Sequence, residues 1–272
     1  MCPNCRAFIT IEDKVCPYCE VRVGGRAIDQ RMPDDLLGGL IPHAKFLTML
    51  VLLINSGLYA AMMLYSLKSG HRSALTDIDT ETLALFGAKY WPGLRSGQMW
   101  RLVTAGFLHA GILHFIMNMW ALFDLGANVE EGFGPSRFIS IYFVSTVAGF
   151  YLSAWYSPVT SAGASAGIFG LIGAMIAYGM HRSRSAMGQM IKTHYSRWAI
   201  YGLLFGLIGI FPIDNAAHIG GLAGGFVVAW LAGLPLPGNW RERIWNTAAA
   251  LSVAITVLAF VEMGFFFQRF AR

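Results

Sequence analysis

Seven stretches of this chain are too apolar and too poor in charge to be anything but membrane spans. From Phe46 to Leu67, 22 residues run without a charged side chain. About 20 apolar residues are enough to cross the hydrocarbon core as a helix. Further apolar stretches cover about 104–126, 138–157, 163–180, 198–213, 216–234 and 244–268. Only 13% of the residues are charged and 56% are hydrophobic, whereas a soluble domain carries about 25% charge. One soluble core cannot hide that much apolar surface. The chain therefore reads as an all-α polytopic membrane protein, which excludes an ordinary soluble enzyme, a disordered chain and a nucleic-acid-binding domain. The two-residue link Asp214-Asn215 between the fifth and sixth stretches predicts a tight hairpin.

Basic residues set the orientation, because Lys and Arg favour the cytoplasmic side. With the N-terminus inside, the cytoplasmic segments 1–45, 127–137, 181–197 and 235–243 hold 13 Lys and Arg, and the outer segments hold seven. The long outer segment 68–103 is too mixed to cross, and Trp91 and Trp100 suit it to the interface.

All four cysteines lie near the N-terminus, as Cys2-Pro-Asn-Cys5 and, ten residues on, Cys16-Pro-Tyr-Cys19. Paired C-x-x-C turns at this spacing can place four thiolates around one tetrahedral Zn²⁺, and four Cys leave no position open for catalysis, so the ion's role is structural. Two disulfides, or thiols with no ligand, are the competing readings. No basic-then-apolar leader precedes the cysteines, and reduced thiols fit the cytosol. The expected organisation is a zinc-ribbon-like module over 1–22, a Gly- and Pro-bearing linker over 23–43, a six-helix core over 44–236, and a seventh helix with a short tail over 237–272.

Polar groups inside a bilayer are expensive, so each one within a span is a functional candidate. His114 and Asn118 stand four apart on one face of the second span, with His109 nearer its outer end. Ser165 sits within Gly163-Ala164-Ser165-Ala166-Gly167 at the outer end of the fourth span, and His218 at the outer end of the sixth, followed by Gly220, Gly221, Gly224 and Gly225. Glycines four apart let helices approach closely, so Ser165 and His218 can meet at one depth. A serine beside a neutral imidazole makes a nucleophile and its general base. His114 and Asn118 can supply donors to a developing oxyanion. Each feature has a plainer reading: a serine among small residues packs helices, a His-Asn pair makes an interhelical hydrogen bond, and G-x-S-x-G without a preceding strand is not a hydrolase elbow.

Taken together, Trp100-Arg101, His109, His114-x-x-x-Asn118, Glu130, the string Gly163 to Gly170, and Ala217-His218-Ile219-Gly220-Gly221 resemble the rhomboid family of intramembrane serine proteases over about residues 44–236. The resemblance implies a six-helix core, with the seventh helix that some members add. It implies Ser165 as nucleophile, His218 as general base, and His114 and Asn118 with the Ser165 N–H as oxyanion hole. Trp100-Arg101 would then brace the outer loop, and Glu130 would be a structural hydrogen-bonding residue in the cytoplasmic loop. Phe169, where many members carry Tyr, would stack on His218; Ala166 stands where members often have Gly. The implied substrates are transmembrane proteins, admitted sideways near spans two and five and cut near the outer side of the membrane; the absence of a targeting segment and the long outer segment make a bacterial plasma membrane the expected home. No cofactor is needed for catalysis.

Two other readings compete: a silent rhomboid-like protein that binds transmembrane helices, and a transporter using His109, His114 and Asp124, which would need further midspan acids where Glu262, seven residues from Arg269, instead reaches the outer interface. The cysteine module would serve a cytosolic protein partner or simply cap the N-terminus. Its segment 1–45 balances six acids against six bases, which gives no surface for nucleic acid.

Overall fold

The computed structural model describes Cys5 and residues 15–20, 45–208, 213–233 and 240–271, leaving aside the side chain of Arg241. The chain divides into two compact units, Met1–Ala44 and Lys45–Arg272. The linker expected over 23–43 and the ligand Cys2 lie outside the described residues.

The second unit is helical, in the order α1 (Phe46–Lys68), α2 (Thr80–Leu85), α3 (Trp91–Arg95), α4 (Arg101–Thr104), α5 (Ile112–Phe133), α6 (Pro135–Tyr156), α7 (Ser165–His181), α8 (Ala186–Leu207), α9 (Asn215–Ala232) and α10 (Arg241–Phe270). Five of these, α1, α5, α6, α9 and most of α10, are long and apolar enough to cross a membrane, and α7 is a shorter apolar helix. Helix α7 is buried on nearly every side, as a helix hydrophobic all round must be. It packs most closely on α9, then on α8, α6 and α5. The peripheral α10 lies along α6, α4 and α2.

Several boundaries differ from the sequence reading. Helix α5 begins at Ile112, not near 104, so His109 lies in the turn before it rather than within a span. Arg101–Phe107 instead forms α4 and a short 3₁₀ turn. The cytoplasmic loop expected over 127–137 is nearly absent: α5 runs to Phe133, Gly134 turns the chain at φ 79°, and Pro135 opens α6. Glu130 is consequently a buried helical residue, not a loop residue. Helix α8 likewise starts at Ala186, capped by Ser185 Oγ accepting from Gly188 N, so most of the loop expected over 181–197 is helix. Charges ended the apolar pattern at these places, but a helix continues past the lipid as long as its backbone bonds are met. Because α8 ends at Leu207, the connection to α9 spans 208–214 rather than two residues, with 209–212 outside the described part.

The segment 68–103, expected at the interface, also folds onto α1. Ala74, Ile78, Leu83, Leu85, Phe86, Ala88 and Leu108 pack with Tyr59 and Met62 of α1 into a second apolar cluster.

Candidate active site

The candidate residues of the second unit sit at or near the starts of three helices. Ser165 is the first residue of α7, His218 lies in the first turn of α9, and His114 and Asn118 lie in the first two turns of α5. Helix starts present backbone N–H groups without intrahelical acceptors and the positive end of the helix dipole, a setting suited to negative charge.

The glycines bring these starts together. A Cβ on Gly221 would lie 2.1 Å from the Ala166 carbonyl oxygen, and one on Gly225 would lie 2.1 Å from that of Gly170. Helices α7 and α9 thus touch backbone to backbone immediately after Ser165 and His218. At Gly163 a Cβ would meet His114 Cε1 at 2.8 Å, His114 Nε2 at 3.0 Å and Ser165 Oγ at 3.4 Å, so the imidazole and the hydroxyl flank one point. Gly167 gives up its side chain to the ring of Tyr142 on α6, which a Cβ would meet at 2.6 Å.

Phe169 lies one turn beyond Ser165 on the same face of α7. Its ring stacks on His218 with centroids 4.0 Å apart. His218 is buried, and its Nδ1 has no hydrogen-bond partner. Among the described residues, no hydrogen bond joins Ser165 Oγ to His218. Asn118 is buried with its Nδ2 donor unused, an uncommon state for a buried amide. His109 is fully buried; its Nε2 accepts from Ala164 N at 3.5 Å and its ring stands edge-on to His114 at 5.2 Å. It supports the turn into Ser165 from outside the α5 helix.

Arg101 and Glu130 sit away from these groups. Arg101 Nη1 donates to the carbonyls of Ala84 and Ala88, its Nε donates to Gln98 Oε1, and the guanidinium lies over Trp100 at 4.5 Å. Burial pushes this guanidinium down to about 10, against an opposing pull from Tyr90. Glu130 accepts from Leu47 N, Thr48 N and Thr48 Oγ1 at 3.1, 2.9 and 2.8 Å, and so caps the first turn of α1 from a neighbouring helix. Sequence reasoning missed Lys89 and the depth of involvement of Asp214. An Asp four residues before His218, at a helix start, was the available signal for the latter.

In the first unit, Sγ of Cys5, Cys16 and Cys19 lie within 4.8 Å of one another, and Cys5 and Cys16 are 3.6 Å apart. Thiolates at about 2.3 Å from a tetrahedral zinc stand roughly 3.8 Å from each other, so the three cysteines fit one ion.

The family described as Rhomboid domain matches residues 96–235. The chain is 39% identical over 180 residues to "Rhomboid protease GluP" of Bacillus subtilis, covering 66% of this chain and 35% of that protein. It is 34% identical over 190 residues to "Rhomboid-like protease 3" of Toxoplasma gondii, covering 65% of this chain and 69% of that one. It is also 31% identical over 166 residues to "Inactive RHOMBOID-like protein 8" of Arabidopsis thaliana, covering 58% of this chain and 45% of the relative. The match thus spans about a third of the length of the Bacillus relative.

Proposed function

The chain belongs to the rhomboid family, and from that premise we propose that it is an intramembrane serine endopeptidase that cuts transmembrane helices near the outer side of the membrane. The observation that supports this reading is that Ser165 Oγ and the His114 ring flank one point beside Gly163, while Phe169, one turn beyond Ser165, stacks on His218. His218 takes the proton of the Ser165 hydroxyl as Oγ attacks the peptide carbonyl. The resulting oxyanion is held by the Ser165 N–H, Asn118 Nδ2 and a ring N–H of His114. The intermediate collapses, the amine leaves with the proton carried by His218, and water hydrolyses the acyl-enzyme by the same route. The unused Nδ2 of Asn118 supports its place in the oxyanion hole. Removing one such donor costs about 10²–10³ in kcat.

Sideways access is supported by the outer halves of α5 and α8. Leu113, Ile116, Met117 and Trp120 on one and Tyr201, Leu204 and Leu207 on the other are exposed apolar side chains. A substrate helix can take the place of lipid against such faces. The proposed setting is a bacterial plasma membrane with the N-terminus cytoplasmic, supported by the excess of Lys and Arg in the segments on that side.

A second reading, a rhomboid protein that holds transmembrane helices without cutting them, draws on the absence of a Ser165–His218 hydrogen bond among the described residues and on a relative named inactive. Unliganded enzymes often tighten that bond only with substrate. Labelling by a fluorophosphonate separates the two. Wild type should label while Ser165→Ala and His218→Ala do not; equal absence of labelling in folded wild type would favour the helix-binding reading or a site closed until the cysteine module is engaged.

For the first unit the proposal is a structural Zn²⁺ held by Cys2, Cys5, Cys16 and Cys19, supported by the close approach of three of the four sulfurs. Purified reduced protein should carry one zinc per chain, and Cys16→Ser should lose it. Metal-free wild type of unchanged fold would exclude the site.

A further inference from the structure

Lys89 is a fully buried lysine in the outer segment, and it has no part in the proposed hydrolysis. Its Nζ donates to the Ser157 carbonyl at 2.9 Å and lies 4.0 Å from Asp214 Oδ2. Its backbone forms an isolated two-bond bridge with Ser161: Lys89 N donates to Ser161 O at 2.8 Å and Ser161 N to Lys89 O at 3.0 Å. Ser157 and Ser161 belong to the stretch that leaves α6 and leads into Ser165. Asp214 is the cap of α9: its Oδ1 accepts from Ala217 N at 3.1 Å, its carbonyl accepts from His218 N at 3.1 Å, and its Oδ2 accepts from Ser153 Oγ on α6.

The residue is presented from the other side by the outer loop. Arg101 Nη1 donates to Ala88 O at 3.1 Å, and Thr104 Oγ1 donates to Gly87 O at 2.7 Å. Gly87 adopts φ +99° with no room for a side chain against Thr104, so the turn into Lys89 is fixed both by conformation and by contact. The bracing by Arg101 therefore ends on a buried cation that touches the supports of both Ser165 and His218.

A buried ammonium is costly unless it is paired and hydrogen-bonded. Burial pushes Lys89 down from its ordinary range, and Asp214 opposes that shift. A methionine would fill the same space without this cost, so the charge needs a reason in the pairing itself. We infer that Lys89 is a positioning residue, whose ammonium joins the turn carrying Ser165 to the helix start carrying His218. The inference rests on Ser165 and His218 being the reacting pair.

The test uses full-length protein in lipid nanodiscs, with wild type, Ser165→Ala, Lys89→Met, Asp214→Asn and the Lys89→Met/Asp214→Asn double variant. Two readouts are taken: the rate of fluorophosphonate labelling at Ser165, and amide hydrogen exchange over 157–165 and 213–218. Lys89→Met should speed exchange in both segments together and slow labelling about 10- to 100-fold, as small misplacements of reacting groups do. The double variant should recover part of both losses, because it leaves no unpaired charge. Asp214→Asn keeps the helix cap, since Asn serves there as well as Asp. It leaves the more deeply buried Lys89 without its counter-charge, so it should show a loss of the same kind at least as large, and it stands in for Lys89→Met if that variant does not fold.

Faster exchange in only one segment, or wild-type labelling by folded Lys89→Met, would overturn the inference. If wild type labels no better than Ser165→Ala, the protease reading has failed, and the paired exchange response still decides whether Lys89 couples the two segments.

Discussion

The ring of Phe169 lies flat on the imidazole of His218, with centroids 4.0 Å apart and planes 13° from parallel. Its far edge faces α8, where a Cβ on Gly202 would come within 2.6 Å of Phe169 Cζ. One aromatic ring thus fixes the plane of the imidazole and is itself seated by a neighbouring helix. An aromatic pair of this kind contributes about 0.5–1.5 kcal/mol beyond its buried area. Phe169→Leu should therefore slow fluorophosphonate labelling of Ser165 by about 2- to 10-fold. Phe169→Tyr should keep the stack and label near the wild-type rate. Equal labelling by Phe169→Leu would show that the stack does not orient His218.

The contact between α7 and α9 makes a sharper prediction about stability. At Gly221 a methyl group would lie 2.1 Å from a backbone oxygen, so one helix must move as a whole. Overpacking costs about 1–3 kcal/mol, occasionally more, and Gly221→Ala belongs at the upper end because no side chain can yield. Gly57 in α1 has nothing within 4 Å of its Cβ position. Gly57→Ala should be neutral, or stabilising by up to about 1 kcal/mol through helix propensity. Thermal unfolding of the two variants in the same detergent checks the contrast.

These contacts also show how far the sequence could be read. The spans were legible because lipid demands long uncharged runs, and 46–67 emerged as α1 almost residue for residue. The ends were less so. Lys192, His194 and Arg197 break the apolar pattern of α8, yet the helix continues through them from Ala186. Glu130 read as a loop residue because it is an acid, whereas in the fold its carboxylate is consumed by the first N–H groups of α1. Motif spacing placed Ser165, His218, His114 and Asn118 near helix starts, and each lies in the first two turns of α7, α9 or α5. Lys89 with Asp214 has no such local signature: the pairing depends on how the outer loop folds back over α6 and α9.

Asp79 gives the segment between α1 and α5 a defined response to acid. It caps α2, accepting from Thr82 N and Thr82 Oγ1, both at 2.7 Å, and from Ser66 Oγ of α1 at 2.6 Å. Burial alone would raise its pKa, but the hydrogen bonds from Ser66 and Thr82 outweigh that, and the carboxyl sits below its ordinary value. A depressed carboxyl stabilises the fold fully above its unfolded pKa of about 3.9 and loses that contribution as pH falls through the lower folded value. Hydrogen exchange in 78–85 should therefore be flat from neutral pH to about 4, after correction for intrinsic rates, and rise below it. Asp79→Asn keeps a capping acceptor and should remove the acid-dependent step. A step of the same size in that variant would assign it to another group.

Helix α10 is held at both ends, and the two partners of the ion pair near its start should respond unequally to mutation. Arg137 at the start of α6 donates through Nη1 and Nη2 to Glu242 of α10 at 2.7 and 2.9 Å, a bidentate pair, and Ser136 Oγ donates to Asn246 Oδ1 at 2.6 Å beside it. The Arg137 side chain is 3% exposed and that of Glu242 31%. Removing Glu242 leaves a buried guanidinium without its counter-charge, the more damaging kind of break. Removing Arg137 leaves a carboxylate that water can reach. Glu242→Gln should therefore destabilise more than Arg137→Met, by about 1–3 kcal/mol against 1 or less, after discounting the buried-pair figure for the exposure of Glu242. Near its C-terminal end α10 lays Phe266 against Trp100 at 5.7 Å and under Arg101 at 4.9 Å. Loosening the helix should thus reach the outer loop: in Glu242→Gln, hydrogen exchange over 84–104 should rise along with the fall in unfolding temperature. If the order of the two variants is reversed, or exchange rises only near the ion pair, α10 is a passive neighbour of the core and not a brace for the loop.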